Sequence, residues 1–162
     1  MLASREQQPR RTLNRSLHGR DCNDSRMTDV ASVVEQYYAA VGDRDGSAEA
    51  LRALLRPDVR IVEHPNAINP KGTVRNRDAA VAGYLAGKER LIEQTFDVHE
   101  LLVSCSRVAV RATWQGTLAR DMGPFPAGTA MKAHIAGLLT VVDGQIREHK
   151  TFDCYEPLVS DA

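Results

Sequence analysis

The sequence predicts one α+β domain in which three N-terminal helices pack on a curved antiparallel sheet that encloses a pocket. Apolar residues recur at helical spacing from Val30 to about Leu91, and the period then changes to that of strands. An Asp143-Gly144 dipeptide splits the last apolar-rich stretch into a hairpin. The chain has 162 residues, 43% of them hydrophobic, which suffices for a single core of ordinary size.

Each element has a local reason. Val30, Val33, Val34, Tyr37, Tyr38 and Val41 make an amphipathic first helix, capped by Thr28 or Asp29 and ended by Gly42. Ser47 caps a second, short helix that buries Leu51, Leu54 and Leu55 before Pro57. Val59 to His64 reads as a short strand closed by Pro65, and Asn66 to Gly72 as a loop. Asn76 caps a third helix over residues 77–90. Strands follow at Phe96 to Ser104 and Val108 to Leu118, joined at Cys105-Ser106-Arg107. Residues 119–128 form an irregular loop placed to cover an opening, and the last two strands are Ala130 to Val142 and Gln145 to Tyr155.

Composition narrows the function classes. Lys plus Arg equals Asp plus Glu at 21 each, so no electrostatic reason exists to expect nucleic acid or an anionic membrane as partner. No apolar run reaches the roughly 18 to 20 residues that span a bilayer. Cys22, Cys105 and Cys154 are odd in number and lack CxxC spacing, which argues for a reducing, cytoplasmic setting and against a disulfide framework or zinc knuckle. Residues 1–26 carry six arginines, three acidic residues and little that is apolar. They read as a disordered tail, which leaves residues 27–158 as the domain and 159–162 as a C-terminal tail.

The hairpin gives a first geometry for a site. With Asp143 and Gly144 as the turn residues and regular pairing beyond them, Leu138 faces His149, Ala136 faces Thr151, and His134 faces Asp153. Directly opposed residues lie about 5 Å apart at Cβ, so His134 and Asp153 are within hydrogen-bond reach. A carboxylate there would fix the histidine tautomer and raise its basicity. His149 lies about 13 Å along the strand from Asp153, too far for the two histidines and the carboxylate to share a metal. Ile135, Leu139, Val141, Ile146 and Phe152 fall on the opposite, mostly aliphatic face, interrupted by Glu148 and Lys150.

Several runs carry a family likeness. Val33 to Ala40 (VVEQYYAA) and Leu54 to Val59 (LLRPDV) resemble the opening of the nuclear transport factor 2-like superfamily. Val108 to Thr117 (VAVRATWQGT) resembles the long central strand of its SnoaL-like polyketide cyclase and ketosteroid isomerase branches, and Asp143 to His149 (DGQIREH) their terminal hairpin. The resemblance implies a cone-shaped domain with a deep pocket, paired as a homodimer. It also implies an oxyanion-binding role for Tyr37. Val62-Glu63-His64-Pro65 is similar to the segment holding the isomerases' basic aspartate, with His64 in its place, and their protonated aspartate falls near Ala136. In the cyclases an acidic residue on the last strands works with histidine, which leaves Glu148, His149 and Asp153 as alternatives.

Together these readings make His134, Asp153, His64 and His149 the candidate catalytic residues, and Tyr37, Trp114, Leu138 and Thr151 the candidate ligand contacts. The expected activity is proton transfer on a carbonyl-containing hydrophobic molecule, by cyclisation, isomerisation or hydration, with no cofactor. A binding protein using the same pocket without turnover, and a dimeric interaction scaffold, are the alternatives. His99 and Cys105 have no convergent partner and read as structural.

Overall fold

A computed structural model of the chain describes residues 24–157; residues 1–23 and 158–162 lie outside the described residues, and with them the predicted tails except residues 24–26, which open the first helix. The chain runs through α1 (Asp24–Gly42), α2 (Ala48–Leu54), β1 (Leu55–Glu63), β2 (Thr73–Arg75), α3 (Arg77–Arg90), β3 (Leu91–Ser104), β4 (Arg107–Leu118), β5 (Ala130–Val142) and β6 (Gln145–Tyr155). The expected caps close α2 and α3: Ser47 Oγ accepts from Ala50 N and Asn76 Oδ1 from Ala79 N. The helix α1 starts at Asp24, a turn earlier than a cap at Thr28 or Asp29 requires.

The six strands form one sheet in the order β2-β1-β6-β5-β4-β3. The strands β3 to β6 are the predicted antiparallel meander, while β1 joins β6 in parallel and the short β2 adds an edge to β1. The three helices cover one face. Val34, Tyr37 and Tyr38 of α1, Leu51 of α2 and Leu55 pack there against Val108, Val110, Leu139 and Ile146. Leu55, Leu139 and Ile146 are fully buried, and truncation of such a side chain to Ala costs about 2–5 kcal/mol.

The hairpin register departs from the expected one. Asp143 and Gly144 make the turn with φ of +52° and +73°, as a two-residue type I′ turn requires, and Val142 pairs with Gln145 as predicted. One step later Val141 pairs with Ile146 but Thr140 pairs with Glu148, so Arg147 is an extra residue on β6. This bulge shifts every later pair by one. His134 therefore faces Cys154, Ile135 faces Asp153, Gly137 faces Thr151 and Leu139 faces His149. The expected pairing of His134 with Asp153 is corrected accordingly, because β6 keeps its inward residues while β5 presents the opposite set. Cys154, on β6, is free and exposed.

Candidate active site

Between the helices and the inner sheet face lies a cavity of about 350 Å³, adjoined by a second lobe of about 230 Å³. Tyr37, Arg75 and Gln94 border both. Six of the chain's eight aromatic residues line the two lobes: Tyr37, Tyr38, Tyr84, Phe96, Trp114 and Tyr155. That concentration gives flat apolar walls suited to a flat ligand. Trp114 is held edge-on to Tyr155, and its indole N–H donates to Gln94 Oε1 at 3.1 Å.

The polar wall comes from α1, β1, β2 and β6. His149, 6% exposed, sits between two tyrosines, with Nδ1 3.2 Å from Tyr37 Oη and Nε2 3.4 Å from Tyr38 Oη. Burial lowers its pKa to about 4, so the ring is neutral at pH 7. Burial likewise drives the Tyr37 and Tyr38 phenols far above their ordinary value, which makes them neutral hydrogen-bonding groups. Four residues further along β6, Asp153 borders the cavity, and its Oδ1 accepts from the Thr151 hydroxyl at 2.5 Å. Its carboxyl is pushed above the usual carboxylate range, mainly by burial; Thr151 and Arg75 oppose the rise and Glu63 adds to it.

Glu63, at the end of β1, is the second carboxylate of the cavity. Arg75 of β2 donates to its Oε2 at 3.0 Å, and Asn66 and Asn69 of the β1–β2 loop donate to its Oε1 at 3.0 and 3.3 Å. Glu63 and Arg75 thus form a fixed, internally neutral pair beside a desolvated Asp153. Glu63 is held by three side-chain donors, whereas the Asp153 carboxyl accepts from the Thr151 hydroxyl.

Of the sequence candidates, Asp153, His149, Tyr37, Trp114 and Thr151 meet at this cavity. Three do not. His134 lies on the outer sheet face, where its Nε2 contacts Glu156 Oε1 at 2.9 Å. Leu138 is on the same face and 51% exposed. His64 stacks on Phe152 at 4.2 Å between ring centroids and borders neither lobe. Nor do residues 119–128 line either lobe. Sequence reading missed Glu63, Arg75 and Tyr38. The signal for Glu63 was its place two residues after the apolar Ile61, which puts both on one face of β1. For Tyr38 it was the apolar stripe of α1 that already contained it. Arg75 sits on a three-residue strand that leaves no periodic trace. Among the described residues no group of three or more His, Cys, Asp or Glu side chains is placed to hold a metal ion.

The comparisons agree with this architecture. The SnoaL-like domain family matches residues 34–149. IdmH of Streptomyces antibioticus, a candidate polyketide cyclase, is 27% identical, with a TM-score of 0.64 over 76% of this chain and 91% of its own. A candidate SnoaL-like polyketide cyclase of Jannaschia sp. CCS1 is 22% identical, with a TM-score of 0.66 over 83% of this chain and 91% of its own. A Catenulispora acidiphila protein with a ketosteroid isomerase-like fold is 18% identical, with a TM-score of 0.60 over 74% and 83% of the two chains. No curated protein sequence matches. With three helices on an unclosed six-stranded sheet, a cavity between them, and a family match over most of the described residues, the chain belongs to the SnoaL-like domain family, with the nuclear transport factor 2-like fold.

Proposed function

We propose that the cavity performs acid/base chemistry, without a cofactor, on a flat carbonyl-containing hydrophobic molecule, with Asp153 as the group that moves the proton. The observation that carries this reading is the position of Asp153: a desolvated carboxyl on a cavity wall, steadied by Thr151 and set beside the compensated Glu63–Arg75 pair. Such a carboxyl takes up and releases a proton closer to neutrality than an exposed one, which general acid/base work requires. Tyr37 is the hydrogen-bond donor for the oxygen on which negative charge develops. Histidine does not shuttle the proton in this reading, because His149 is held neutral and hydrogen-bonded on both ring nitrogens. The 27% identity to IdmH favours cyclisation of a polyketide-like substrate among the reactions open to the site.

The reaction common to cyclisation and isomerisation is removal of a proton α to a carbonyl, and that step is the test. Aromatic 1,3-diketones incubated with the protein in D2O are expected to gain deuterium at the α-carbon faster than in buffer, read by mass. A panel in which every member exchanges only at the buffer rate overturns the catalytic reading. Tight binding without exchange supports a carrier instead, and the neutral, doubly bonded His149 is the observation that favours this second reading.

We also propose that the protein works as a homodimer through the outer sheet face. Leu102 is 62%, Leu138 51% and Phe152 40% exposed there. Leu102 and Leu138 both pair with Ala109, so they form one apolar row across β3, β4 and β5. Exposed rows of this kind are commonly covered by a partner, and a second copy supplies one of matching composition. Ile135, Leu139 and Val141, placed with Phe152 on one aliphatic face by the expected register, are buried and take no part in this surface. Sedimentation at micromolar concentration is expected to give a dimer that Leu138→Asp dissociates. A monomeric native chain overturns this assembly.

A further inference from the structure

The Tyr37–His149–Tyr38 cluster has a direction. A neutral imidazole carries one N–H and one bare nitrogen, so of the two tyrosines one donates to His149 and the other accepts from it. The tyrosine that accepts keeps its own hydroxyl proton available. Among the described residues neither hydroxyl has a second hydrogen-bond partner. One phenolic donor is therefore left over, and the surroundings of the two hydroxyls decide which.

Tyr38 Oη lies against the backbone of β5. A methyl group at Gly137 would stand 2.7 Å from Tyr38 Oη and 3.3 Å from His149 Nε2, so both atoms lie over the bare glycine, where any other residue would displace them. Tyr38 borders only the larger lobe, whereas Tyr37 borders both. With Tyr38 donating to Nε2, every donor in the cluster is met except the O–H of Tyr37, the residue that borders both lobes. The reverse order satisfies Tyr37 and leaves the Tyr38 O–H unmet against the sheet, the costlier place for an unpaired donor.

We propose that Tyr38, His149 and Tyr37 form a one-way hydrogen-bond relay that holds His149 as its Nδ1–H tautomer and leaves the Tyr37 hydroxyl to donate to a ligand carbonyl oxygen. Tyr38, His149 and Gly137 are positioning residues in this scheme; only Tyr37 touches the ligand. The relay rests on the acid/base reading for its use but not for its existence. An N–H donated to Tyr37 Oη polarises the phenol, so its own O–H becomes a stronger donor as charge builds on the ligand oxygen. The class of ligand is narrowed as well. The free Tyr37 O–H is a donor, and a bare carbonyl oxygen is the ligand group that it suits.

The tautomer is directly observable. In a long-range ¹H–¹⁵N spectrum of uniformly ¹⁵N-labelled protein, His149 is expected to show a protonated Nδ1 and a bare Nε2, the reverse of the order a free histidine side chain favours. A proton on Nε2 in the native protein overturns the relay. In Tyr38→Phe, and independently in Gly137→Ala, the lock is expected to weaken and the Nε2–H form to appear; an unchanged spectrum in both overturns it. Where exchange activity is present, Tyr38→Phe is expected to lower its kcat about tenfold with little change in KM, against a hundredfold or more for removal of a donor to the oxyanion itself. An Nδ1–H signal in a protein that exchanges nothing defeats the acid/base reading and leaves the relay standing.

Discussion

Asp153→Asn is expected to lower the rate of α-deuterium exchange by about 10² to 10⁴-fold, the usual contribution of a positioned general acid or base. The substitution isolates proton transfer from binding. Asparagine has the size of aspartate, and its amide oxygen can still accept from the Thr151 hydroxyl that now meets Oδ1. Ligand affinity is expected to stay within about threefold, since the aromatic walls and Tyr37 are untouched. The pH profile gives a second reading. Burial raises the Asp153 carboxyl, so the exchange rate is expected to climb with pH through a range above that of an ordinary carboxylate, as the basic form appears. A variant that keeps the native rate removes Asp153 from the mechanism. One that loses binding in parallel assigns the residue to the cavity wall alone.

The fold was legible where the chemistry is local. Ser47 and Asn76 cap the helices they were expected to cap, because an oxygen-bearing side chain ahead of an apolar helical run has few other uses. Asp143-Gly144 turned where expected, because both residues tolerate the positive φ that the turn demands. The site was legible only in part, and the reason is one residue. Inserted into β6, Arg147 puts Ile146 and His149 on the same face at a spacing of three, which alternation cannot produce. A trace was present in the sequence: Glu148 and Lys150 interrupt an otherwise aliphatic face. Charged residues at two successive positions of a face meant for burial are better explained by a slipped register than by buried charge. With the slip applied, both move to the outer face, where they pair with each other at 3.1 Å. The parallel contact of β1 with β6 leaves no local mark at all, and it is this contact that brings Glu63 alongside Thr151.

The buried imidazole also ties the site to stability. His149 titrates near 6.5 when unfolded and at about 4 in the folded chain, because the folded interior excludes its charged form. Between those values the unfolded chain binds a proton that the folded chain refuses. Stability is therefore complete above about pH 6.5, falls as the pH drops through this window, and levels off below about 4; the full difference is about 3 kcal/mol. Asp153 acts in the opposite sense. Its raised carboxyl keeps a proton in the folded state that the unfolded chain has released, so it removes stability as pH rises through the ordinary carboxylate range and above. The two overlap, and a single acid titration of the native protein reports their sum. His149→Gln separates them, since its amide can bond both tyrosines and does not titrate. The difference in urea-unfolding free energy between native protein and His149→Gln is expected to shrink by about 3 kcal/mol from pH 7 to pH 4, because only the native protein carries the imidazole term. Parallel curves across that range would mean that His149 takes up its proton inside the fold, and a charged imidazole between Tyr37 and Tyr38 would no longer leave one tyrosine free to serve the ligand.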